Sequence, residues 1–149
     1  MIRVGINGFG RIGRVISRII QAKEDIEVVI INDINPDINN IAYLYNYDTT
    51  YGRNKDPVHV DKEFIVNSKF NIKVFSENNL LQVPWQDYKL DVLIDSSGII
   101  ENLNKYKDLR KSVKNVIITN SPDSKLVDNE IIYGVNHESY DSKKDFIIS

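Results

Sequence analysis

The sequence predicts an α/β fold, a doubly wound and mostly parallel sheet with a small β-hairpin excursion, and three observations carry that reading. Ile2, Val4 and Ile6 alternate as the apolar positions of a short strand do. From Ile12 the apolar residues recur at Val15, Ile16, Ile19 and Ile20, one face of a helix, with Arg14, Arg18, Gln21 and Lys23 opposite. Residues 26–31 then form the nearly continuous run IEVVII, which suits a parallel strand covered on both faces. Strand, glycine-containing turn, amphipathic helix and buried strand make a βαβ unit of about 30 residues.

The remaining elements follow in order. Residues 40–45 predict a short helix with Ile41, Leu44 and Tyr45 on one side. Residues 58–60, 64–66 and 71–75 read as short strands joined by charged or Asn-containing turns, the β excursion between Tyr51 and Phe75. Residues 90–94 form a compact apolar strand that ends in Asp95-Ser96-Ser97-Gly98. A charged surface helix is expected over 102–113, a strand over 116–118, and further strands over 131–135 and 146–148. Strands separated by helices in this way define a doubly wound sheet.

Composition sets outer bounds. The 149 residues suit one domain with a sizeable core, and 42% hydrophobic with 27% charged residues is ordinary for a globular protein. A net charge of −2 provides no bulk attraction to nucleic acid or to an acidic membrane. There is no cysteine, which excludes disulfides, thiolate metal sites and cysteine nucleophiles from this chain. No apolar stretch approaches the ~18 residues of a membrane span, and the start carries no signal-peptide pattern. A cytoplasmic location is therefore expected.

The chemistry concentrates at Gly8-Phe9-Gly10-Arg11-Ile12-Gly13, a GxGxxG spacing placed where a strand gives way to a helix. Gly8 is expected to take the positive φ of a tight turn, Gly10 to let a pyrophosphate approach the backbone, and Gly13 to allow close packing of helix on sheet. The helix N-terminus offers unpaired N–H groups and partial positive charge to phosphates. Asp33 follows Gly13 by 20 residues, at the end of the second strand, where a carboxylate accepts hydrogen bonds from an adenosine ribose. That carboxylate repels the extra phosphate of NADP, and Ile34 supplies no compensating cation, so NAD is the expected cofactor.

The strings Ile6-Asn7-Gly8-Phe9-Gly10-Arg11-Ile12-Gly13-Arg14, Ile31-Asn32-Asp33 and Tyr47-Asp48-Thr49-Thr50-Tyr51-Gly52-Arg53 closely resemble the glyceraldehyde-3-phosphate dehydrogenase family. Ser76-Glu77, Val83-Pro84-Trp85 and Gly134-Val135-Asn136 resemble it in order and spacing as well. The resemblance implies an NAD-binding Rossmann domain over residues 1–149, with the catalytic domain absent from this chain. It implies that the backbone of Arg11 and Ile12 holds the pyrophosphate, and that Asn32 and Asp33 flank the adenine ribose. Ser96, Ser97 and Gly98 are implied along the path to the nicotinamide end, together with Thr119. Asn78 stands where the family usually has arginine or lysine near the adenine, which leaves a backbone contact in place of a stacking cation. The turn Thr119-Asn120-Ser121-Pro122 is one residue longer than the family's usual small-residue turn.

By the same resemblance, the parent protein oxidises glyceraldehyde 3-phosphate with NAD and phosphate. It does so through a cysteine nucleophile that this chain lacks, as a homo-oligomer. An erythrose-4-phosphate dehydrogenase and a stand-alone nucleotide-binding module are the alternatives. The other polar features read as structural. His59 and His137 are expected at the surface, Tyr43, Tyr45, Tyr47 and Tyr51 to pack against core and subunit neighbours, and residues 105–114 to form a solvated mixed-charge face.

Overall fold

The structure is a computed structural model and describes residues 1–149. Strand β1 (Ile2–Asn7) runs into the glycine turn, and α1 (Arg11–Gln21) leads to β2 (Ile26–Asn32). Helix α2 (Ile38–Asn46) begins at Asp37, whose side chain accepts the N–H groups of Asn39 and Asn40, a cap worth about 1 kcal/mol. A two-stranded antiparallel hairpin, β3 (Tyr47–Asp48) and β4 (Gly52–Arg53), stands apart from the main sheet. Then come β5 (His59–Asp61), β6 (Phe64–Val66), β7 (Asn71–Phe75), β8 (Leu90–Asp95), β9 (Val113–Ile118) and β10 (Ile147–Ile148).

Eight strands make one sheet in the order β10-β9-β8-β1-β2-β7-β6-β5. The first six are mutually parallel, and β6 and β5 add an antiparallel edge. The expected excursion is thus part of the sheet. Its last strand, β7, lies parallel beside β2. The apolar run of β2 is explained by a bulge: Val4 pairs with Val28 and Gly5 with Ile30, so Val29 is the extra residue. Val28 and Ile31 consequently face one core layer, and Val29 and Ile30 the other.

Those two layers cover the two faces of the sheet. One gathers around Trp85, Leu93, Tyr106 and Val116, the other around Ile6, Ile31, Tyr45 and Ile65. Trp85 is fully buried because its indole N–H also finds a partner, the Leu80 carbonyl at 2.7 Å. No helix is long and apolar enough to cross a membrane.

Three local expectations change. The predicted 102–113 helix is two 3-10 helices, Ile100–Asn104 and Tyr106–Lys111, with Val113 already in β9. Leu103, Tyr106 and Leu109 recur every three residues and are all buried, which aligns them on a 3-10 helix rather than an α-helix. Residues 131–135 form turns instead of a strand. Gly134 has φ +85°, and Asn136 ties the segment to itself through the Ile132 N–H and the Glu130 carbonyl. The strand read as 146–148 is confined to Ile147–Ile148.

Candidate cofactor-binding site

The parallel strands deliver their carboxyl ends to one edge, and the residues just beyond β2, β1, β8 and β9 meet there. Asn7 pairs in register with Asn32 on one side and Asp95 on the other, and Asp95 pairs with Ile118. The connections that leave β1 and β8 part to opposite faces at this edge, because chain order reverses between these two strands. The opening is a cleft of about 300 Å³ whose lining includes Gly8, Gly10, Asp33, Asn78, Ser96 and Ser97.

The three glycines of the turn differ in what a side chain would meet. Gly8 holds φ +86°, and a Cβ there would lie 2.5 Å from the Ser97 backbone. A Cβ on Gly13 would come within 2.3 Å of the Gly8 carbonyl oxygen, so the first turn of α1 is pressed onto the loop. At Gly10 a Cβ would meet nothing within 4 Å. Protein packing therefore does not demand that glycine, and the space in front of its backbone is open. Gly10 is also the N-cap of α1 and brings no side chain to its first N–H groups, and no acidic residue lies in that turn. Helix α2 is capped by its own Asp37, whereas α1 has no side-chain cap, and such a helix start can accept an anion.

Asp33 sits at the rim, half-buried. Its Oδ2 accepts the Phe9 N–H at 2.6 Å and its Oδ1 the Asn35 N–H at 2.9 Å, so it clamps the glycine loop to the end of β2. Each oxygen retains acceptor capacity toward the cleft. Phe9 is therefore an anchor: its ring is buried 5.4 Å from that of Tyr45, and its carbonyl accepts Arg14 Nη1 at 3.1 Å. Arg14 Nη2 lies 3.8 Å from Asp48, which ties the loop to the hairpin. Burial pulls the Arg14 guanidinium below its ordinary range, and Asp48 opposes that shift. Arg11 and Ile12 are exposed at the start of α1.

Beneath the cleft runs a buried polar belt. Asn32 donates to Asn7 Oδ1 at 2.8 Å and to the Glu77 carbonyl at 3.0 Å, and its own oxygen accepts the Glu77 N–H. Both amide hydrogens of Asn32 are thus spent inside the protein, and its side chain supports the floor of the site. Asn7 donates to Asp95 Oδ2, which also accepts from Asn102 at 2.9 Å and from the Tyr106 hydroxyl at 2.7 Å. Burial and then the Asp95 charge push the Tyr106 phenol far up, so it remains a donor. Asp95 Oδ1 takes the N–H and hydroxyl of Ser97. The Ser96 hydroxyl donates to the Gly8 carbonyl at 2.6 Å. Ser96 and Ser97 therefore line the cleft while bracing it.

Gly98 follows with φ +74° and is exposed. The Thr119 N–H reaches the Asp95 carbonyl at 3.1 Å, which places Thr119 one strand further along the same edge, outside the lining of the cleft itself. Asn78 is exposed on the rim, in the lining that also holds Ile34, Leu80 and Ile99. Sequence reading missed Asn7, Glu77, Asp95, Asn102 and Tyr106 as parts of the site. Asn7 and Asp95 could have been flagged as polar residues closing apolar strands, but nothing local marks Asn102 or Tyr106. His59 is exposed on β5, and His137 Nδ1 accepts the Gly134 N–H in a surface turn.

The family profile described as glyceraldehyde 3-phosphate dehydrogenase, NAD binding domain, matches residues 2–103. The chain belongs to that family. It is 39% identical to glyceraldehyde-3-phosphate dehydrogenase 1 of Bacillus cereus over 150 aligned positions, covering 100% of this chain and 44% of the relative. It is 38% identical to glyceraldehyde-3-phosphate dehydrogenase 1 of Saccharomyces cerevisiae, covering 99% and 44%, and 37% identical to glyceraldehyde-3-phosphate dehydrogenase 4 of Caenorhabditis elegans, covering 98% and 44%. The chain thus spans less than half the length of these relatives. The matched profile is that of an NAD-binding domain.

Proposed function

We propose that this chain holds NAD for a phosphorylating glyceraldehyde-3-phosphate dehydrogenase, as the cofactor half of that enzyme. The observation that supports it most is the open Cβ position at Gly10 beside the uncapped start of α1, with Asp33 against the same loop. The backbone of Arg11 and Ile12 takes the pyrophosphate. Asp33 accepts the hydroxyls of the adenine ribose while it holds Phe9, and Asn32 stiffens the floor behind it. Asn78 with Ile34, Leu80 and Ile99 shapes the adenine end. Ser96, Ser97, Gly98 and Thr119 flank the way to the nicotinamide. NAD supplies the hydride acceptor.

Aldehyde oxidation by the family's route needs a sulfur nucleophile, and no cysteine occurs among these 149 residues. Glyceraldehyde 3-phosphate and phosphate therefore belong to the catalytic domain, outside residues 1–149, as do the other steps of turnover. Assembly of the whole protein as a homo-oligomer and residence in the cytoplasm belong to the same reading.

The test is calorimetric titration with NAD and NADP. NAD binds at least about tenfold tighter, because the 2′-phosphate both displaces a hydroxyl donor from Asp33 and meets its charge. Asp33→Asn narrows the ratio by weakening binding of NAD and relieving the repulsion of NADP. Equal affinities for the two cofactors in the unsubstituted chain would remove Asp33 from the site.

A further inference from the structure

A second groove lies beside α1, and none of its lining residues is shared with the cofactor cleft. It runs between the C-terminal half of α1 and residues 51–56, and its volume of about 520 Å³ is within the usual span of small-ligand sites. Its charge is one-sided. Arg18, Lys23, Arg53, Lys55 and Lys69 line it against the single carboxylate of Asp56, in a chain whose net charge is −2.

The pairing within the groove leaves most of that charge uncompensated. Lys69 Nζ is 2.7 Å from Asp56 and neutralises it. Arg18 is held by carbonyls, those of Tyr45 and Gly52, so its position is fixed without its charge being cancelled. Lys23, Arg53 and Lys55 form no ion pair. Of these, Arg53 rests near the Tyr47 ring, 5.7 Å from its centroid. Donors also exceed acceptors among the amides: Gln21 Nε2 and Asn54 Nδ2, on side chains that line the groove, are buried without a hydrogen-bond partner. An unmet buried donor is costly, so such a pair is unusual in one place.

We infer that this groove binds a small phosphorylated molecule carrying at least two phosphate groups. The phosphates lie against Lys23, Arg53 and Lys55, where charge-assisted hydrogen bonds replace the missing carboxylates. The carbon body lies on Val15, Ile19 and Tyr51; Ile19 is 56% exposed and Tyr51 62% exposed, an apolar floor bordered by cations. A single-stranded nucleic acid fits less well, because successive bases need successive stacking faces and the groove offers one aromatic ring, Tyr51. The inference does not depend on NAD occupying the cofactor cleft.

The probe is inorganic tripolyphosphate, titrated calorimetrically into the purified chain at about 50 mM salt, where screening is moderate. Saturable binding is expected at sub-millimolar concentration. The double variant Lys23→Ala/Lys55→Ala, checked for native circular dichroism, loses about tenfold or more in affinity and keeps the parent's response to NAD. Single substitutions at either lysine serve if the double variant does not fold. Absence of saturable binding, or equal affinity in parent and variants, overturns the inference. So does loss of tripolyphosphate binding in Gly10→Val, which would locate the anion at the start of α1. Binding of a thymidine oligonucleotide about tenfold tighter than tripolyphosphate, lost in the lysine variants, would replace the small molecule with a nucleic acid strand.

Discussion

Asp33 does two things with one carboxylate: it fastens the glycine loop through the Phe9 N–H and presents its remaining lone pairs to the cleft. Its position was legible from spacing alone, since the end of the second strand is where a βαβ unit places an acid. The role of its neighbour was not. Asn32 lies buried in a belt whose other members come from residues 7, 77 and 95, and only the folded sheet brings those together. Tyr45 shows the same limit. The sequence placed it on the packing side of a helix, but its fully buried hydroxyl lies 3.0 Å from both Ser17 Oγ and Gln21 Oε1. Burial pushes its phenol up to about 12. An unfolded tyrosine ionises near pH 10, so the folded state holds the proton more tightly. The resulting stability is complete below about pH 10 and disappears as pH rises toward 12, a loss of the order of 3 kcal/mol. Urea unfolding across that range measures it. Tyr45→Phe is less stable by about 1 kcal/mol near pH 8 and has a shallower alkaline limb, the remainder arising from Tyr106 and Tyr88, whose phenols burial also pushes up. An alkaline limb of unchanged steepness in Tyr45→Phe would mean that Tyr45 does not carry the effect.

Among the elements, the βαβ unit was the most legible, because strand alternation, glycine spacing and helical period all pointed to one arrangement. The 102–113 segment was misread because its apolar residues fit either helix type until the buried three-residue rhythm of Leu103, Tyr106 and Leu109 is seen. The 131–135 segment has a strand's composition, yet Ile132, Tyr133 and Val135 are 64%, 90% and 76% exposed and have no strand beside them. Composition reports β propensity; it does not supply a partner. The glycine turn allows a sharper separation of packing from binding. Gly13→Ala places a methyl group against the Gly8 carbonyl oxygen and costs about 1–3 kcal/mol, because the first turn of α1 must shift. Gly10→Ala points into open space and costs less, about 0.5–1 kcal/mol, because alanine is a poorer N-cap than glycine. Chemical denaturation of the two variants side by side checks this. A reversed order of stabilities would mean that the contacts at the helix start are misassigned.

At the scale of the molecule, one sheet does two kinds of work. Its faces carry the two core layers, while at the carboxyl ends of β2, β1 and β8 opens a cleft lined mostly by polar residues. The division follows from chain reversal between β1 and β8, which opens the edge where neighbouring connections part to opposite faces. Stability and binding therefore separate spatially, and a substitution at the open edge can remove one without the other. Gly10→Val is the most direct examination of that claim. A Cβ at this position has no protein atom within 4 Å, and the branched side chain extends into the space in front of the uncapped α1 donors. Calorimetric titration of purified Gly10→Val with NAD, beside its far-UV circular dichroism, is the measurement. The account predicts a native spectrum and no detectable NAD binding; a native spectrum with NAD affinity equal to the parent's would contradict it.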